Sequence, residues 1–376
     1  MLEKLDDVPW SDLHHAYGPA DDVPADLRAL LSDDADVRKK ALWNLYGTIF
    51  HQGTRFEASA PAVPFLLEMV AAAGTPARAS LIELLVALAI GYDEAYLPDG
   101  FPLDELRSAA AGGEALPADG GAERFGALTE SDQDRVQARI ELQVYEAVGE
   151  GVPLFASLLS DGDPAVREAA TYALGWFAAE APLPLADEDA SVAATAIISL
   201  GLRGIAPSGA EGDPRGVVRG AVAIALARVH GRQASRAVVD ELLRWAGGAE
   251  RTEVPYFDGD LAGYAARSLR LVLGDDDDEA LDVLLTRIPA VSGVQAQPVV
   301  EEALRRVFPH GPIAAGTPFD DLTERQKRVV RVLAASPSTW LFLERAYGTF
   351  RWLIGGYGLP LDADAMRAYA GMAKTP

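Results

Sequence analysis

The chain has 376 residues, 49% of them hydrophobic and 24% charged, enough for a large core or a long repeat array. Its 33 basic and 56 acidic side chains leave a net charge of −23, a field that repels phosphate backbones and draws cationic partners. Cysteine is absent, which excludes disulfides, thiol nucleophiles and thiolate metal sites.

The opening MLEKLDDVPW lacks the basic start and apolar run of a signal peptide, and no apolar stretch approaches the ~20 residues of a membrane span, so a cytoplasmic protein is expected. Residues 1–24 read as an N-terminal cap, with Trp10, Leu13 and Tyr17 on one face of a short helix. His14 and His15 are adjacent, about 100° apart on a helix, and make a poor chelate.

First repeats are expected over 25–90. The segment LRALLSDDADVRKKALWNL, anchored at Val37, shares its grammar with segments anchored at Val166, Val192 and Val218. Four residues after the anchors stand Ala41, Ala170, Ala196 and Val222, seven after them Asn44, Ala173, Ser199 and Ala225, and eight after them Leu45, Leu174, Leu200 and Leu226. Those offsets mark one stripe of a 3.6-residue helix, on which small residues admit a neighbouring helix and leucine fills the remaining volume. Arginine follows the anchor at Arg38, Arg167 and Arg219, and Asp34, Asp163 and Asp189 are placed to cap the helices. Ala193 replaces the arginine in one copy, and in another Arg215 stands where the acid is expected. Ala77, Arg78 and Leu85 keep parts of the pattern.

Between these helices runs HQGTRFEASAPAVPFLLEMV. Gly53 breaks the helix expected to end near Phe50, Ser59 is placed to cap the next, and Pro61 suits its first turn. His51, Arg55 and Glu57 are candidates for a small recognition or acid–base cluster; tying the loop to its neighbours is the alternative, and the one general loop anchoring favours. Residues 91–128 lose periodicity and read as a loop excursion, either a partner-contacting flap or, as AAAGGEALPADGGAERFG favours, disorder. Central repeats are expected over 129–310, opening with a helix capped by Thr129 or Ser131. The acidic run Asp275 to Glu279 fails the calcium-loop pattern and reads as a helix cap.

Residues 319–376 read as a C-terminal cap. There Arg325, Lys327, Arg328, Arg331, Arg345 and Arg351 face only Glu324 and Glu344, interleaved with Trp340, Leu343, Phe350 and Trp352. The negative total charge argues against nucleic acid and for arginines lying over an apolar cap. Arg328, Arg331, Trp340, Arg345 and Trp352 are candidates for contact with a protein partner.

The segment Asp163, Val166, Arg167, Ala170, Ala173, Leu174 resembles the second helix of a HEAT repeat, although the 26-residue steps from Val166 to Val192 and Val218 are shorter than the ~40 residues usual for such units. His51, Gln52, Gly53, Thr54, Glu57, Ala58, Ser59, Ala62, Val63, Pro64, Phe65 and Leu66 further resemble a bacterial group of HEAT-repeat proteins. The resemblance implies a single all-α solenoid of stacked antiparallel helix pairs with helical caps, and a non-catalytic scaffold for another protein. Neutralisation of a basic partner is a specific form of that function. A HEAT-like enzyme acting on nucleic acid or a cofactor, similar to DNA glycosylases or bilin lyases, is the alternative. None of the metalloprotease, nucleophile-elbow, phosphate-loop or dinucleotide motifs occurs, and no catalytic residue, cofactor or metal is expected.

Overall fold

The computed structural model describes residues 1–113, 125–209, 212–249 and 251–372. The chain is all-α, a solenoid of stacked antiparallel helix pairs, with three two-stranded β-hairpins interposed among the described residues. It divides into two compact units, Met1–Val192 and Ala193–Pro376. In the first, Val23–Ala29 packs on Ala35–Gly47, and Ser59–Ala71 and Arg78–Ile90 both meet Glu130–Gly149. Pro164–Gly175 packs on Arg78–Ile90 and on Val152–Leu158. In the second, Gly216–His230, Arg236–Ala246 and Leu261–Val272 pack together, Ala296–Val307 joins Leu261–Val272 and Asp278–Arg287, and Glu324–Ala335 packs on Ala296–Val307.

The helix starts explain why the anchored copies look alike. The residue five before each anchor (Ser32, Asp161, Asp187 and Asp213) accepts the backbone N–H two residues on, at 3.1, 3.0, 2.9 and 2.8 Å. Such a side-chain turn sets the chain's entry into the helix. Asp34, Asp163 and Asp189 then accept from Asp36, Ala165 and Ser191 at 2.8, 3.0 and 2.9 Å, satisfying amides that the first helical turn leaves open. The arginine after the anchor reaches back over the same turn. Nη1 of Arg38, Arg167 and Arg219 donates to the carbonyls of Ser32, Asp161 and Asp213 at 2.7, 2.9 and 2.7 Å.

A second set of bonds joins one copy to the next. Arg78 donates to Asp161 at 2.6 Å, and Arg167 grips Asp187 through two bonds of 2.9 Å. In each pair the arginine after one anchor neutralises the aspartate five before the next. Ala193 cannot do this for Asp213, and Arg215 does it instead, donating to Asp213 through Nε at 2.9 Å and Nη2 at 2.8 Å. The two departures from the repeat pattern therefore compensate one another.

These contacts leave a mark on acidity. The Asp163 backbone N–H, with Arg78, holds the Asp161 carboxyl below its ordinary value, and Arg215 draws Asp213 down to about 2. Both lose their protons more readily in the folded chain than in the unfolded one. Their contribution is therefore complete above the ordinary value of 3.8 and is lost as pH falls through the folded values, for Asp213 toward about 2. A carbon-detected NMR titration is expected to show the Asp213 midpoint near 2, and a midpoint at or above 3.8 would remove Arg215 from this role.

The helical stripe is buried as its period requires: Ala170, Ala173, Leu174, Ala196, Val222 and Ala225 all lie in the core. Small residues there permit close approach. A Cβ added to Gly201 would lie 2.6 Å from the Ala225 Cβ. Val37 differs from its equivalents, being 41% exposed while Val166, Val192 and Val218 are buried. Its helix packs chiefly on Val23–Ala29 and strand Phe50–His51, and this leaves the first turn open.

Several local expectations change. The short helix expected around Trp10 to Tyr17 is two 3₁₀ turns, Leu5–Asp7 and Trp10–Asp12, followed by a hairpin pairing His14 with Pro19 and His15 with Gly18. Ser59 does not cap; its hydroxyl donates to Ile49 and accepts from Phe56, tying the end of one helix to the start of the next. Within the expected excursion, Leu103–Ala110 is a helix packed on Glu130–Gly149, with Asp104 and Glu105 favourably placed in its first turn. The expectation of disorder falls largely on residues 114–124, outside the described residues. Thr129 and Asp277 cap their helices.

Candidate protein-contact site

The HQGT stretch forms the second hairpin, Phe50–His51 paired with Thr54–Arg55. Its two-residue turn has positive φ at both Gln52 and Gly53 (51° and 88°), the mirror-image turn whose twist suits a hairpin. Gly53 is required twice over, because a Cβ there would sit 3.3 Å from the Tyr92 ring.

This hairpin lies beside the first one. The Ala16 N–H donates to the Thr48 carbonyl at 3.2 Å, and the Ala58 N–H to that of His14 at 3.1 Å. Glu57 accepts from the His14 backbone at 3.2 Å and meets its Nδ1 at 3.0 Å. His15 Nδ1 accepts the Tyr17 N–H at 3.0 Å, so Nε2 carries the proton that faces Asp22 at 2.9 Å. Arg55 is turned inward and buried, bonded to the Gly53 carbonyl and paired with Glu141 at 2.9 Å. Of the three residues singled out in this loop, Arg55 and Glu57 thus tie it to its neighbours, and His51 sits at the tip.

Two aromatic rings that the sequence reading did not connect to this loop flank it. Tyr17 meets His51 edge-on at 5.4 Å, and Tyr92 meets Phe50 edge-on at 5.3 Å. Tyr17 is 72% and Tyr92 53% exposed. Burial of its inner part, reinforced by Glu94, raises the Tyr92 phenol above its ordinary value. The helical spacing of Trp10, Leu13 and Tyr17 places Tyr17 on an apolar face, and the hairpin turns it outward instead.

In the C-terminal unit the singled-out residues separate by environment. Trp340 is buried, its Nε1 donating to the Leu333 carbonyl at 3.0 Å and its ring meeting Phe350 edge-on at 5.2 Å. Arg328 pairs with Asp282, and Arg331 lies 5.3 Å over the Phe319 ring. Arg345 is exposed in the third hairpin, Leu341–Phe342 with Arg345–Ala346. Trp352 is 84% exposed and, with Gly348, Arg351, Gly355 and Leu361, lines a cleft of about 490 Å³. Positions 348, 351, 352 and 355 form one stripe of the Gly348–Gly355 helix, where the two glycines leave the backbone bare between Trp352 and Leu361.

Among the described residues, no three His, Asp or Glu side chains converge to hold a metal ion, and no helix is long and apolar enough to cross a membrane.

The paired helices Val152–Leu158 and Pro164–Gly175, with Asp163 as cap and Arg167 reaching back, carry the repeat grammar in its fullest form. Residues 152–175 match the HEAT repeat. HEAT repeats are generally protein-interaction scaffolds. The HEAT match spans this one helix pair, and the bonding pattern of its Asp161, Asp163 and Arg167 recurs in part around the other anchors. No curated protein is similar to the chain in sequence. A solved engineered protein aligns with 93% of this chain and 97% of its own at 16% identity, with a TM-score of 0.27, too low for the superposition to inform the fold.

Proposed function

We propose that this protein is a non-catalytic binding scaffold that holds a basic partner protein on its N-terminal unit. The observation that carries the reading is an uneven distribution of charge. Met1–Val192 holds 34 acidic and 12 basic side chains, a net charge of −22, while Ala193–Pro376 holds 22 and 21, a net charge of −1. The acidic field therefore belongs almost wholly to one unit, where it accelerates encounter with a cationic surface and disfavours acidic competitors. The HEAT match supports a scaffold in general, and the resemblance of the His51 to Leu66 segment to bacterial HEAT-repeat proteins belongs to the same proposal.

Capture on the immobilised full chain from the native lysate tests it. The expected result is a stoichiometric protein of basic character, retained near physiological salt, lost at about 0.5 M, where the screening length has fallen to a few ångströms, and cross-linked to Met1–Val192. Capture of an acidic protein, or cross-links confined to Ala193–Pro376, would refute the reading.

A further inference from the structure

The charge distribution selects a unit, and the aromatic rings select a place on it. We propose that the tip of the hairpin Phe50–Arg55, flanked by Tyr17 and Tyr92, is the docking point for an arginine- or lysine-bearing segment of the partner. This rests on the scaffold reading above and deepens it. A tyrosine ring presents a negative face to a cation, and an exposed ring surrounded by a negative field gathers cations while repelling anions. Tyr17 is held for that purpose on both sides: its backbone is fixed by the His15 Nδ1 and its ring by the edge of His51. Tyr92 is held by Phe50 and by the bare backbone of Gly53. The rings are therefore ordered before a ligand arrives, and the entropy otherwise lost in fixing them on binding is small.

Carboxylates border the same surface. Asp22, whose side chain is 60% exposed, bonds His15, two residues before Tyr17, and Glu94 follows Tyr92 closely enough to act on its phenol. The C-terminal cleft around Trp352 has no comparable bias, since Glu344, Asp362 and Asp364 accompany Arg345, Arg351 and Arg367 in that part of the chain. Charge complementarity thus favours the hairpin in the acidic unit.

The test uses the full chain and fluorescein-labelled alternating Arg-Gly, Lys-Gly and Glu-Gly peptides, read by anisotropy at low and moderate salt. The Arg-Gly peptide is expected to bind, more weakly as salt rises, with Tyr17→Ala losing about three- to tenfold in affinity and Tyr17→Phe staying within about twofold. Trp352→Ala, in the other unit, should bind as the unaltered chain does. Because Tyr17 projects into solvent, Tyr17→Ala should keep its circular dichroism and melting profile. Unchanged affinity in Tyr17→Ala would show that the field alone holds the peptide, which overturns the docking point and leaves the scaffold reading standing. Absence of peptide binding while the lysate partner is still captured has the same meaning. Preference for the Glu-Gly peptide would overturn both. Sedimentation that shows self-association abolished by Tyr17→Ala would make this face a contact between copies and defeat the proposal.

Discussion

Replacing Arg287 by methionine is expected to destabilise the C-terminal unit by about 3–5 kcal/mol, the usual cost of stranding one member of a buried ion pair. Arg287 is fully buried, and its Nη2 lies 2.7 Å from each carboxylate oxygen of Asp260, whose side chain is 4% exposed. Asp260 also accepts the Gly263 N–H at 2.9 Å, capping Leu261–Val272, while Arg287 ends Asp278–Arg287. One carboxylate thus joins the start of one helix to the end of another. Without Arg287 it would remain as a charge inside the core without its ionic partner.

The double variant Asp260→Asn with Arg287→Met should recover much of the loss, because the stranded charge is gone and the amide oxygen can still accept from Gly263. Hydrogen exchange is the suitable readout, since a chain of two units need not unfold in one step and exchange reports each helix separately. Faster exchange should appear in Leu261–Val272 and Asp278–Arg287. Unchanged exchange there would mean that the pair contributes far less than its burial implies.

Trp340→Ala is expected to cost about 3–5 kcal/mol, as other buried Trp truncations do, whereas Trp352→Ala should stay within about 0.5 kcal/mol. The two tryptophans are twelve positions apart in one segment and differ almost only in surroundings. Trp340 is 4% exposed, stacked edge-on against Phe350, and its indole N–H is satisfied by Leu333. Removing it leaves a cavity beside Phe350 and takes one of two donors from the Leu333 carbonyl, which keeps the Ser336 N–H at the end of Glu324–Ala335. Trp352 has no such role. Chemical denaturation monitored by exchange in Glu324–Ala335 separates them, and equal effects would contradict the difference in burial.

The all-α repeat character was legible because its signals are local. A stripe at offsets four, seven and eight from Val166, with Asp163 three before it, specifies a capped helix from the geometry of one turn. The candidate site was legible only in part. HQGT marks a turn in any reading, but Arg55 and Glu57 face neighbours, and the sign of their environment depends on Glu141 and His14, which lie far from them in sequence. The spacing of Tyr17 fits a helical period, whereas a hairpin supplies a different one. Leu103–Ala110 does not stand out in the sequence because the Gly-rich segment after it masks a short run of good helix formers.

By itself, then, the sequence determined the helices of the anchored copies, the caps at Asp34, Asp163 and Asp189 and the small-residue stripes, since each depends on groups a few residues apart and on one hydrogen-bonding geometry. Tertiary structure alone decided which arginines link copies, as Arg78 does with Asp161 across 83 positions. It also decided that Trp340 lies inside and Trp352 outside, and that Tyr17 and Tyr92 flank one turn. The physical reason is common to all of these: burial and charge pairing are properties of neighbours in space, and a repeat array brings together neighbours that the chain order does not name.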